Sequence, residues 1–211
     1  MSDIDLLNPG QAGKREQTKA ANRRAILDAA RQVFAELGYE MASVRDIIRR
    51  TNLSVGAFYN YYRSKEEVYE ALSDDGARRF RPILHAEYLK ATDFESYLRG
   101  AITAYFEFVA AEVAELGKNN PHEPETFTRN TPEMLAVHEE VRTAFAEVME
   151  RGGAPRVDID YLTTAAIAIV REVGDRMVLR EPLDVPGAVE FCVSLILGGV
   201  PAAPRVEPQA T

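Results

Sequence analysis

Apolar residues recur at three- and four-residue spacing along most of the chain, and no stretch alternates long enough to predict a strand. Ile26, Leu27, Ala30, Val33, Phe34 and Leu37 form the stripe of an amphipathic helix starting near residue 17. Gly38 is placed to stop it, because Gly adopts the left-handed conformation that follows a last helical turn. Ser43 predicts the cap of a short second helix, with Asp46 completing a capping-box-like pair and Val44, Ile47 and Ile48 on the buried side. Ser54 opens a third helix of about two turns. Ser64 opens a fourth, with Glu67 at the reciprocal box position. Pro82 either kinks that helix or ends it. Further periodic segments lie near 94–116, 132–151, 158–180 and 186–199, separated by "KNNPHEPE", "RGGAPRVD" and "REPLDVPG". The pattern predicts an all-α chain. Residues 1–16 are expected as a disordered arm, 17–65 as a first domain, 66–200 as a second and 201–211 as a flexible tail.

The segment "DIIRRTNLSVGAFYNYYRSKEEV" crowds Phe58, Tyr59, Tyr61 and Tyr62 together. Consecutive helical residues point about 100° apart, so one helix face cannot bury all four rings. Phe58 and Tyr62, four residues apart, share the inward face with Leu53. Val55, Gly56, Tyr59, Asn60 and Tyr61 are left outside. Two short helices joined by a tight turn form a helix-turn-helix, whose second helix enters the major groove of DNA. Exposed phenols suit phosphate oxygens, and Gly56 lets the backbone approach DNA closely. Lys65, at the start of the fourth helix, adds a cation where free amides already attract phosphate.

Charge sharpens that reading. Residues 14–65 hold eleven Lys/Arg against five Asp/Glu, a balance of +6, whereas the whole 211-residue chain carries −8. A basic head on an acidic body suits a polyanion bound at one end. The length allows one large or two modest domains. The first residues lack a signal-peptide apolar core and no 18-residue uncharged run exists, so a cytoplasmic protein with no membrane partner is expected. Cys192 is the lone cysteine and is expected to pack as a small hydrophobe.

The stretch "TKAANRRAILDAARQVFAELGYEMASVRDIIRRTNLSVGAFYNYYRSKEEVYEAL", residues 18–72, resembles the N-terminal domain of the TetR family of bacterial transcriptional regulators. The carrying residues are Ile26-Leu27-x-Ala29-Ala30, Phe34, Gly38-Tyr39, Ser43-Val44-x-x-Ile47, Ser54-x-Gly56-x-Phe58-Tyr59-x-Tyr61-Tyr62 and Ser64-Lys65-Glu66. The resemblance implies that Ser43 and Arg45 meet phosphate and a base. It places Val55, Gly56 and Asn60 on bases, and Tyr59, Tyr61 and Lys65 on the DNA backbone. Ala57 stands in this recognition stretch where Thr is common, removing one hydroxyl contact. Tyr62 stands where Phe is usual, with plain core packing as its bland alternative.

The same resemblance implies a C-terminal ligand-binding domain whose last two helices pair with a second subunit as a four-helix bundle. Leu162, Ala166, Ile169, Val189, Val193, Ile196 and Leu197 are the dimer candidates, with packing inside one chain as the competing explanation. For a ligand pocket, Tyr105, Phe106 and Phe127 offer apolar wall, and Arg129, His138 and Arg171 offer polar handles. Arg171 has a surface pairing with Glu172 or Asp175 as its alternative, and His138 a solvated helix face. His122, Glu123 and Glu125 lack a second spaced pair, so no metal is expected.

Three functions compete. The first is a homodimeric repressor on an inverted-repeat DNA operator, released by an apolar or amphipathic small molecule. The second is a DNA-bound structural or division factor without a ligand. The third is an enzyme, against which stands the absence of any Gly-x-Ser-x-Gly elbow, phosphate loop or metal quartet. No cofactor is expected.

Overall fold

The computed structural model describes residues 9–116, 131–152 and 156–206. Among them there are helices and turns but no strand. The chain divides into two compact units, the first ending at Leu72 and the second starting at Ser73.

The first unit holds α1 (Pro9–Leu37), α2 (Val44–Arg49), α3 (Val55–Tyr59) and the opening turns of α4 (Lys65–Lys90). Gly38 ends α1 with φ 76°, a left-handed conformation, and its amide donates to the Phe34 carbonyl at 3.0 Å. Ser43 caps α2 in a reciprocal box with Asp46, and Ser54 caps α3 by accepting from the Ala57 amide at 3.2 Å. Ser64 accepts from the Glu67 amide at 3.3 Å, while the Glu67 carboxylate takes the Arg63 amide. Ile26, Val33, Ile47, Phe58 and Val68, all at 0% exposure, form the centre of the core. Each contributes about 1.5–3 kcal/mol of apolar burial. Third-helix length differs from expectation: α3 has 5 residues, because Asn60 already serves as its C-cap.

The second unit holds the remainder of α4, then α5 (Phe94–Leu116), α6 (Pro132–Arg151), α7 (Ile159–Met177) and α8 (Val185–Gly199), closed by a 3-10 turn at Val200–Ala202. Asp93, Asp158 and Asp184 each accept an amide at the start of a helix, at 2.8–2.9 Å. Pro82 neither ends α4 nor shortens it: Phe80 and Leu84 on either side are buried in the core, and that packing outweighs one lost backbone bond. α5 packs along α8 and α6 along α7, around Tyr97, Phe106, Leu98, Val148 and Met177. Cys192 is fully buried, and burial pushes its thiol up to about 11. A polar seam joins α4 to α6, where Glu133, Glu140 and Glu147 recur every seventh residue. Arg81 reaches Glu133 at 3.1 Å and Glu140 at 3.3 Å, His85 reaches Glu140 at 3.3 Å, and the Tyr88 hydroxyl donates to Glu147.

Three expectations need revision. α1 starts at Pro9, inside the stretch expected as a loose arm. The tail holds structure through residue 206, since the Val206 amide donates to the Arg156 carbonyl at 3.2 Å and Arg205 reaches the Pro201 carbonyl at 2.8 Å. Most dimer candidates face inward. Ala166, Val189, Val193 and Ile196 are 1–6% exposed and belong to the core of their own chain, and Leu162, Ile169 and Leu197 pack against it. The Ala/Val/Ile pattern that suggested a subunit seam is the α5–α7–α8 packing itself.

Candidate nucleic-acid interface

The turn between α2 and α3 is fixed by Thr51, whose hydroxyl donates to the Ile48 carbonyl at 2.9 Å and accepts from the Leu53 amide at 3.2 Å. Phe58 (0% exposed) and Tyr62 (4%) anchor α3 from below, with Leu53 packed beside them. The opposite side of α3 faces out. Val55 is 57% and Tyr59 52% exposed. Gly56 has nothing within 4 Å of where a Cβ would lie, and Asn60 is exposed at the C-cap. Ala57 and Tyr61 are half-buried. α2 presents Ser43 and Arg45 at its start, both exposed. The Ser43 hydroxyl is already committed to Asp46, whose carboxyl that bond holds below the usual range. The structure thus brings Ser43, Arg45, Val55, Gly56, Ala57, Tyr59, Asn60 and Tyr61 onto two adjoining short helices.

Lys65 departs from its expected role. Its ammonium donates to the carbonyls of Tyr39 (2.8 Å), Glu40 (3.3 Å) and Ala42 (3.3 Å), and lies 4.3 Å from the centre of the Tyr39 ring. All three protons are spent on the α1–α2 turn, leaving none to hold a phosphate. The Tyr39 hydroxyl donates to Glu66 at 2.9 Å, and burial together with that carboxylate keeps the phenol protonated well above its usual range. The start of α4 is therefore a clasp on the turn after α1.

A feature that the periodicity did not reveal lies beside α3. Lys14, Arg15, Thr18 and Lys19 of α1 line an open groove of about 630 Å³ with Asn60 and Tyr61. Asn22 donates to the Tyr61 hydroxyl at 3.0 Å across 39 residues of sequence. The only prior signal was the charge count, since residues 9–16 carry no apolar stripe.

In the second unit, Tyr105 and Phe106, two of the residues expected to line a pocket, pack against α7. Phe106 is fully buried, and Gly174 of α7 passes so close that an added Cβ would lie 3.2 Å from the Phe106 ring and 3.4 Å from Tyr105. These rings are helix-packing residues, not an open wall. His138 is half-buried, with Nε2 at 3.4 Å from the Thr164 hydroxyl, and Arg171 is half-buried and engaged within the chain. Phe127 and Arg129, with His122, Glu123 and Glu125, lie outside the described residues. Among the described residues no group of three or more His, Cys, Asp or Glu could hold a metal. Sequence reasoning missed Tyr97 and Thr163, both 0% exposed with hydroxyls that have no partner among the described residues.

The model of bacterial regulatory proteins of the tetR family matches residues 26–72, which run from the core of α1 through α4's first turns. Over its first unit the chain is similar to that family's DNA-binding domain. It is 30% identical over 125 residues to an HTH-type transcriptional repressor of Mycobacterium tuberculosis, an alignment covering 57% of this chain and 64% of that protein, just under two thirds. It is 29% identical over 133 residues to the HTH-type transcriptional repressor AcnR of Corynebacterium efficiens, covering 62% of this chain and 68% of the relative. The solved structure of the fatty acid degradation regulator FadR from Bacillus halodurans superposes with a TM-score of 0.68 at 25% identity, covering 84% of this chain and 95% of that one. That likeness extends the family's architecture through the second, helical unit.

Proposed function

We propose that this chain is a TetR-family, sequence-specific DNA-binding transcriptional repressor that acts in the cytoplasm as a homodimer and leaves its operator when a small molecule binds. The observation that carries this reading is the outward face of α3. Val55, Gly56, Tyr59 and Asn60 are offered to solvent from a five-residue helix that buries Phe58 beneath it. An exposed apolar and an exposed amide side chain suit base edges in the major groove, and the phenol beside them suits phosphate.

The second copy fits α8. Residues Val185–Ala202 are apolar enough by length and composition to cross a membrane, yet only a third of that window is buried. Its outward side sets Phe191 (57% exposed) and Leu195 (50%) in a shallow groove with Gly187, Glu190 and Ser194, Glu190 being paired with Arg99 at 2.7 Å, and Gly198 follows on the same side. Two large apolar residues at i and i+4 flanked by small ones suit close packing against the same helix of a partner. The dimer sets two recognition helices on successive major grooves, about 34–36 Å apart on an inverted repeat.

An apolar or amphipathic effector is assigned to the second, helical unit, whose core includes the buried side chains of Tyr97 and Thr163. Footprinting the chromosome for bound sites, then screening metabolites for release from those sites, tests the reading. Binding that is local and effector-sensitive supports it. Dense, scattered, effector-insensitive occupancy would replace it with a structural role.

A further inference from the structure

α1 is 29 residues long, but its apolar burial starts only at Ile26. From residue 13 to residue 21 every side chain is exposed. A helix with nothing to bury is marginal in water, so this overhang lacks the usual reason to persist. Its charges are also sorted. Counting 100° per residue, Arg15 and Lys19 fall on the same face as Ile26 and Ala30, with Thr18 and Lys14 to one side of it and Glu16 to the other. The face that grips the core further along therefore carries the cations Arg15 and Lys19 where the core ends. That face forms the open groove with Asn60 and Tyr61 at the end of the recognition helix, and the Asn22–Tyr61 bond at 3.0 Å clips the two helices together.

We propose that this groove is a second DNA site, which holds the phosphate backbone flanking the bases read by α3. The inference rests on the regulator reading above and adds a longer, sequence-independent grip. From residue 14 to residue 19 the helix spans about 7.5 Å, which with the reach of three long cationic side chains matches about two to three phosphates at roughly 3.4 Å of axis per nucleotide on one strand. Hydroxyl and amide groups of Thr18, Asn60 and Tyr61 supply hydrogen bonds to phosphate oxygens, and Lys14, Arg15 and Lys19 supply charge.

The test uses the full chain and a pool of random duplexes from which the wild type enriches its site. Binding of that site, with long and with trimmed flanks, is then measured across salt for wild type, for Lys14→Gln/Arg15→Gln/Lys19→Gln, and for the charge-keeping Lys14→Arg/Arg15→Lys/Lys19→Arg. The Gln variant should keep the enriched sequence and its helical content and bind about tenfold or more weakly. Its salt slope should fall by up to about 3 per protomer, at roughly 0.9 per phosphate. Trimming the flanks should weaken the wild type and the charge-keeping variant and leave the Gln variant unchanged. Equal slopes and equal flank dependence in all three proteins would overturn the site, and so would a changed base preference in the Gln variant. A wild type that enriches no sequence would instead overturn the regulator reading, and this inference with it.

Discussion

The Lys65 ammonium sits 2.8 Å from the Tyr39 carbonyl and 4.3 Å from the centre of the Tyr39 ring, so a residue placed to meet phosphate instead ties α4 to the turn after α1. Lys65→Met leaves three carbonyls short of a donor in a part-buried turn. The expected loss is about 2–3 kcal/mol of head stability, in the range for bonds from a charged donor. Urea unfolding followed on the first unit measures it. The salt slope of DNA binding should stay where it was, in contrast to the Gln variants of α1.

Asn60 and Tyr59 stand side by side on α3 and should fail differently. Asn60→Ala removes the side chain able to pair with adenine N6 and N7, and should relax preference at one base pair per half-site by about 1–3 kcal/mol. Tyr59→Phe removes only a hydroxyl, and if that group holds phosphate, as the resemblance implies, the change should weaken all sequences alike. A selection from random duplexes separates the two. An unchanged Asn60→Ala preference would remove that residue from base reading.

Helix positions were legible because apolar period and caps agree. Ser43 with Asp46, Ser54, and Gly38 each set a boundary by local chemistry that sequence alone displays. The inward pair Phe58 and Tyr62 followed from four-residue spacing. What spacing could not separate was one apolar face from its neighbour on α7 and α8. Val193 and Phe191 are two residues apart, one 1% and the other 57% exposed, and both read simply as hydrophobic. Lys65 was misread because its partners are backbone carbonyls 23 to 26 residues earlier. The groove of α1 was hidden because polar helix and disorder share a composition.

Acid should loosen the head through its caps. Ser43 holds the Asp46 carboxyl below its usual range, and the Arg50 guanidinium does the same to Glu36. A carboxyl depressed on folding adds stability above its unfolded value, near pH 4, that is lost as pH falls through the folded one. Unfolding temperature measured downward from pH 5 should therefore drop below about pH 4. In the double variant Ser43→Ala/Glu36→Gln, lower at neutral pH, that drop should be shallower. Parallel curves would assign acid sensitivity to other groups.

Tyr97→Phe should not harm the ligand-free protein. The hydroxyl is wholly buried among Tyr88 and Phe145 with no partner among the described residues, and burial keeps it protonated. Deleting an unsatisfied group recovers part of a desolvation cost of about 1–3 kcal/mol. The variant should match or exceed wild-type stability in urea while losing affinity for an effector identified by release from DNA. A loss of stability would show that the hydroxyl is already bonded, through water, in the free protein.

The choice between the two faces of α8 gives the sharpest contrast. Val193 and Ile196 are 1% and 5% exposed, so Val193→Asp or Ile196→Asp buries a charge in the core and should unfold the second unit. Phe191 and Leu195 are 57% and 50% exposed in the single chain, so Phe191→Glu/Leu195→Glu should leave its fold intact. In a dimer closed through α8, however, those carboxylates meet their own copies across a two-fold axis, and like charges in an apolar seam repel. Sedimentation should then find a folded monomer where the wild type is dimeric. Its operator affinity should fall steeply, since one recognition helix replaces two on the same duplex, while each head keeps its base preference. A double-Glu protein that sediments as a dimer would move the second copy off this face of α8.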